Sequence, residues 1–150
     1  MFVLDEHIAR RRAIHDLYVK LLNGVKGVEV MCQPEGEGFN SNYWLTCITV
    51  KPEEAGFTRE DLRLTLEPNR NVEATRLALD RAGVESRPLW KPMHLQPVFK
   101  EAPFYGDGTS DRLFEIGLCL PSGPTLTDED IERVTKVVRQ LSNFRLKDRK

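Results

Sequence analysis

Residues 86–99 read SRPLWKPMHLQPVF, with prolines at 88, 92 and 97. Proline lacks a backbone N–H and its ring fixes φ. Three of them at this spacing forbid an uninterrupted helix and spoil a central strand. The stretch is therefore expected to fit no regular element. It nevertheless carries Trp90 and His94, one of two tryptophans and one of three histidines in the chain. Groups of that kind held on a rigid, irregular path are what a loop needs if it is to present them to a ligand.

The flanking sequence is regular. Residues from about 4 to 22 have helical periodicity, with Ile8, Ile14, Leu17, Tyr18, Leu21 and Leu22 mostly on one stripe. Asp5 and Glu6 suit the positive end of that helix, and Gly24 suits a left-handed stop. The RRR run at 10–12 reads as a solvated face. Residues 28–31 and 43–50 (YWLTCITV) are strand candidates, and the polar QPEGEGFNSN between them makes an antiparallel pair the simplest connection. Pro52 closes the second of these strands, and residues 51–71 are polar with one apolar turn around 62–66. A second helix is expected over about 72–82, with Val72, Leu77 and Leu79 inward and Gly83 as its stop.

Beyond the proline stretch, PFYGDGTSDR is a turn-rich loop, and Ser110 could cap a short helix through Phe114. Residues 116–120 form a third strand candidate stopped by PSGP. A last helix starts at Thr127, whose hydroxyl can accept from the backbone three residues on. Asp128, Glu129 and Asp130 crowd its positive end. Ile131, Val134, Val137, Val138 and Leu141 mark its buried face. The pattern is α+β: a small antiparallel sheet packed by helices and preceded by a long N-terminal helix.

At 150 residues the chain suits a single domain over 1–150, a size that buries roughly 70% of its unfolded surface. A net charge of −1 gives a field that favours neither nucleic acid nor an anionic membrane. No apolar run approaches the roughly 20 residues of a membrane span, and Met1 leads into a charged segment rather than a signal peptide. Cys32, Cys47 and Cys119 are widely spaced and odd in number, a poor disulfide framework and no metal-ligand spacing. They read as reduced core cysteines of a cytoplasmic protein.

His94 is the sharpest candidate for chemistry, weighed against a histidine that only hydrogen-bonds a loop carbonyl. His7 and His15, on the first helix, read as surface or partly packed. No serine sits in a strand-to-helix elbow, Cys119 lies in an apolar strand, and no phosphate-binding glycine loop is present. Asp107, Asp111 and Glu115 read as a solvated loop. Lys91, between Trp90 and Pro92, has neither a phosphate cup nor a pyridinium-binding acid nearby in the sequence, so it is a poor Schiff-base lysine. No catalytic set is complete in these residues.

The segments RPLWKPMH at 87–94 and SDRLFEIGLCLPSGPTLTDEDIERV at 110–134, with DEHIARRRAIHDLY at 5–18 and SNYWL at 41–45, together resemble the C-terminal part of the DegT-type sugar aminotransferases. Those are fold type I enzymes that use pyridoxal phosphate to aminate keto sugars carried on nucleotides. The resemblance covers nearly the whole chain, in order, and is nearest the branch that makes amino sugars for bacterial surface polysaccharides. It implies the small C-terminal domain, led by the helix that joins it to a large N-terminal domain. The large domain carries the Schiff-base lysine, the acid on the pyridine nitrogen and the phosphate contacts, and has no counterpart in this sequence.

The resemblance implies that His94 faces the active site near cofactor and sugar, with Arg87, Trp90 and Lys91 making cation and stacking contacts to an anionic sugar nucleotide. It implies pyridoxal phosphate in the full-length enzyme but none on this chain alone, and an amino donor such as glutamate. The expected partner is the N-terminal cofactor domain. Family members generally form homodimers, mostly through the large domain, so a homo-oligomer stays open here. The abrupt helical start suggests that Met1 marks an artificial boundary or a shortened reading frame. The competing expectation is a stand-alone module, derived from that domain, that binds a sugar nucleotide or another protein.

Overall fold

The computed structural model describes residues 3–34, 36, 38–51 and 70–143. The chain folds as α1 (Leu4–Leu22), β1 (Val28–Val30), β2 (Thr46–Val50), α2 (Arg70–Arg81), β3 (Arg87–Pro88), α3 (Thr109–Ile116), β4 (Gly117–Leu120) and α4 (Asp128–Asn143). Two 3₁₀ turns, Met93–Leu95 and Pro97–Phe99, lie between β3 and α3. The sheet order is β1-β2-β4-β3, and every pairing is antiparallel. This is the α+β architecture expected. The apolar turn expected around 62–66 and the stop at Pro52 lie outside the described residues.

The register divides the sheet into two faces. Ile48 stands opposite Leu118 and Thr46 opposite Leu120, while the alternate residues Cys47 and Cys119 stand opposite each other. Because side chains alternate along a strand, the first set and Val50 share one face and the cysteines share the other. The first face meets Ile14, Tyr18 and Leu22 of α1, Val72 and Leu79 of α2, and Ile131, Val134 and Val138 of α4 in one core. Tyr18 is fully buried, and its hydroxyl donates to Pro121 O at 2.9 Å. Burial pushes the Tyr18 phenol above its ordinary range.

Several local expectations are corrected. The strand expected over 43–50 starts only at Thr46, because Tyr43 adopts φ 45°. Its N–H is taken by Ser41 Oγ at 3.0 Å and that of Trp44 by Asn42 Oδ1 at 3.1 Å. Such side-chain bonds compete with the ladder. The turn lays the Tyr43 ring flat on His15, centroids 3.6 Å apart. His15, expected at the surface or partly packed, is buried, with Nε2 3.2 Å from Met31 O.

The arginine run is not simply solvated. Arg10 donates to Leu126 O at 2.5 Å and to Asp128 at 2.9 Å, and Arg12 donates to Ser41 O at 3.1 Å and to Asn40. These contacts fasten α1 to the approach of α4 and to the loop before β2. Ser110 does not cap α3: it lies inside the helix, and Asp107 Oδ1 accepts the Thr109 N–H at 2.9 Å beyond a left-handed Gly108. At α4 the expected cap forms reciprocally. Thr127 Oγ1 accepts the Asp130 N–H at 3.2 Å, and Asp130 Oδ2 accepts the Thr127 N–H at 2.9 Å. Of the cysteines, Cys119 is buried and Cys47 half-buried, but Cys32 is exposed. Among the described residues no helix is long and apolar enough to cross a membrane.

Candidate functional site

The proline stretch contains more regularity than its sequence suggests. Arg87 and Pro88 form an edge strand, pairing with Cys119 and Leu118 of β4. Proline is tolerated on an edge because its missing donor is not needed by another strand. The Leu89 N–H still reaches Gly117 O at 3.2 Å. The two 3₁₀ turns then satisfy the backbone locally: Leu95 donates to Pro92 O, and Gln96 to Met93 O, both at 3.0 Å. Gln96 Nε2 closes the path by donating to Lys91 O at 2.9 Å. The segment leaves the sheet edge at a defined place and keeps a defined course.

His94 sits where this course meets α3. Its Nε2 is 2.8 Å from Asp111 Oδ1, and its ring stacks on Phe104 with centroids 3.7 Å apart. Its side chain is only 18% exposed. A carboxylate on one ring nitrogen and an aromatic face against the ring together fix the orientation of an imidazole. Asp111 is thereby drawn out of the solvated loop in which its sequence context placed it. Asp107 is occupied in the turn before α3, where the Thr109 hydroxyl and N–H hold its carboxyl below the usual range.

Trp90 is 65% exposed and faces Trp44, 60% exposed, at a centroid distance of 5.7 Å and a tilt of 34°. Arg87, Trp90 and Lys91 line one groove of about 1110 Å³, together with Leu45, Phe114 and Cys119. His94 is not among its lining residues, so the four residues singled out in the sequence fall into two adjoining groups. Arg87 donates twice to Glu85 Oε1, at 2.9 and 2.6 Å, so its fork is already engaged by a neighbouring carboxylate. Large apolar side chains left exposed gather on the same loops: Trp90, Met93, Leu95 and Val98, then Phe104 and Tyr105.

The groove does not suit pyridoxal phosphate. Its lysine is Lys91, and its carboxylates are Glu85, taken by Arg87, and Asp130, taken by the α4 cap. Neither acid is left to serve a pyridine nitrogen. Among the described residues no group of three or more metal-ligating side chains gathers. What the geometry offers is an exposed aromatic pair, a fixed histidine–carboxylate contact, and an apolar margin that the described residues do not cover.

Residues 1–139 match the model of the DegT/DnrJ/EryC1/StrS aminotransferase family. The chain belongs to that family. It is 36% identical over 143 residues to EpsN of Bacillus subtilis (strain 168), whose name provisionally assigns it as a pyridoxal phosphate-dependent aminotransferase. That alignment covers 93% of this chain and 32% of EpsN. A GDP-perosamine synthase of Escherichia coli O157:H7 is 27% identical, with 91% of this chain and 32% of the relative covered. Among solved structures, the aminotransferase TlmJ from Streptoalloteichus hindustanus superposes with a TM-score of 0.71 at 26% identity, covering 93% of this chain and 33% of TlmJ. The structure of DesI in the presence of its TDP-sugar product gives 0.73 at 23% identity, covering 96% and 33%, a likeness of fold. The chain thus spans about a third of the length of the relatives it matches.

Trp44, Phe104 and Asp111 were not legible as site residues. Each meets its partner only through the fold, across loops that no sequence periodicity links. The one local signal was the aromatic pair at the entrance to β2, which reads equally well as strand.

Proposed function

We propose that this chain is the C-terminal small domain of a pyridoxal-phosphate-dependent aminotransferase acting on nucleotide-linked keto sugars. In this reading residues 87–94 form the substrate side of an active site whose cofactor is held by a large domain outside these 150 residues. The observation that carries it is the exposed aromatic margin around a fully organised loop. Trp44 and Trp90 stand half or more in solvent, although the loop beneath them is tied down by backbone and side-chain hydrogen bonds. A loop ordered for its own stability would turn such rings inward. Contiguous apolar exposure of this kind marks a surface meant to be covered.

Each residue then has a task its position allows. Trp90, with Trp44 beside it, offers a face for stacking. Lys91 offers a cation to a phosphate from the groove wall. His94, held by Asp111 and Phe104, offers polar contact near the sugar. Arg87 is a weaker contributor, because Glu85 neutralises it. The amino donor and the identity of the sugar belong to the assembled enzyme.

The test is to mix the purified chain with pyridoxal phosphate, glutamate and a nucleotide-linked keto sugar, and to record cofactor absorbance and product. The reading predicts the spectrum of free cofactor and no amino sugar. A protein aldimine band with turnover would overturn it. Calorimetry with nucleotide sugars separates the competing module: saturable binding by the chain alone would favour that reading instead.

A further inference from the structure

We propose that Cys47 and Cys119 form a dithiol site that closes to a cross-strand disulfide on meeting a small-molecule disulfide such as oxidised glutathione. The two residues are far apart in sequence but directly opposed in the β2–β4 register. Their sulfurs already lie 3.7 Å apart, as free thiols. Directly opposed residues of an antiparallel pair have Cα atoms about 4.5–5.5 Å apart, which falls within the roughly 4.4–6.8 Å that a disulfide spans. Closure thus needs the sulfurs to swing toward each other without a change of register. Cys32 lies outside the ladder, so it has no sulfur opposed in this way.

The pair is chemically asymmetric. Cys47 is half-buried, whereas Cys119 is only 4% exposed, on the groove wall. The sulfur–sulfur hydrogen bond lowers the Cys47 thiol below its usual range and, with burial, raises that of Cys119. Cys47 is accordingly the attacking sulfur. Its thiolate attacks one sulfur of the oxidant RSSR, breaking that S–S bond, forming Cys47–S–S–R and releasing RS⁻. Cys119 then gives up its proton to the released thiolate and attacks the Cys47 sulfur, expelling the second RS⁻. The protein loses two electrons and two protons, and the oxidant leaves as two RSH.

The new bond would lie on the sheet face turned away from the helical core. It would link β2, which follows Trp44, to β4, which holds the edge strand leading to Trp90. The site therefore joins the strand that Trp44 precedes to the strand on which the edge segment before Trp90 is paired.

The test is to incubate the native 150-residue chain with oxidised glutathione, block remaining thiols with iodoacetamide, and map non-reduced peptides by mass spectrometry. A peptide joining Cys47 to Cys119, reversed by dithiothreitol, is expected. Cys119→Ser should stop at one glutathione on Cys47, and Cys47→Ser should leave Cys119 unmodified in the folded chain. The wild-type map decides even where a variant folds poorly. Glutathione remaining on Cys47 of the wild type without closure would overturn the proposal. So would a linked peptide formed only in denaturant, or modification confined to Cys32.

Discussion

Replacing Gly117 by alanine tests how the fold holds the loop. Gly117 opens β4 at φ −98° and ψ 141°, a conformation any residue adopts, so its absence of a side chain must matter for space rather than for backbone freedom. An added Cβ would lie 2.1 Å from Leu89 Cδ1, 2.5 Å from Leu89 Cγ and 2.5 Å from Leu113 O. Favourable contacts between carbon atoms begin near about 3.5 Å. Leu89 could rotate away, but Leu113 O belongs to the backbone of α3, so helix and strand must separate. Overpacking of this kind costs about 1–3 kcal/mol, while the stiffer unfolded chain returns about 0.4–1 kcal/mol. The difference spans about 0–2.6 kcal/mol; with the α3 backbone forced to move, the expectation is its middle, a loss of about 1–2 kcal/mol, or a Tm lower by about 2–8 °C for a chain of this size. Urea and thermal unfolding followed by circular dichroism would measure it. Gly123→Ala is the control, since the nearest atom to its Cβ is Thr125 Oγ1 at 3.9 Å. A Gly117→Ala protein as stable as wild type would refute the claim that Leu89 and α3 are packed onto this strand.

Three further outcomes follow from the contacts. Tyr18→Phe leaves the Pro121 carbonyl without its buried donor and should cost about 1–3 kcal/mol in urea unfolding; an unchanged midpoint would remove that bond from the account. Trp90→Ala should change stability by no more than about 0.5 kcal/mol, because the ring is mostly in solvent, and a large loss would show that Trp90 is a core residue. Thr127 holds the Asp130 carboxyl below its usual range. That contribution is complete above the unfolded value near about 3.9 and disappears as pH falls through the lower folded value. Stability titrated from pH 6 to pH 2 should therefore fall less in Asp130→Asn than in wild type; identical slopes would contradict the assignment.

The helices and three of the strands were legible because each carries its own local signal. Ile131, Val134 and Val138 repeat at helical spacing, and Thr127 announces the start of α4. The edge strand β3 was not legible, since its two residues include a proline and its only support is the neighbouring β4. The same holds for the site. His94 was legible as an oddity of the proline stretch, but Asp111 and Phe104, which fix its ring, lie on a later loop and helix whose local sequence reads as solvated turn. The cysteines show it most simply: a wide spacing that makes a poor disulfide framework by pattern becomes a directly opposed pair once the register of β2 and β4 is set. Tyr43 shows the converse, a good strand former turned out of the ladder by Ser41 and by the His15 ring.

Transplantation shows whether this chain can serve as one part of an aminotransferase active site. The third of the Escherichia coli GDP-perosamine synthase that aligns with this chain is replaced by residues 1–150, and GDP-perosamine formation is compared with that of the shortened enzyme alone. Activity is expected in the chimera, none in the shortened enzyme, and at least a tenfold loss, about 1.4 kcal/mol, on His94→Ala. A chimera that folds and binds pyridoxal phosphate yet forms no product, or one indifferent to His94, would contradict it.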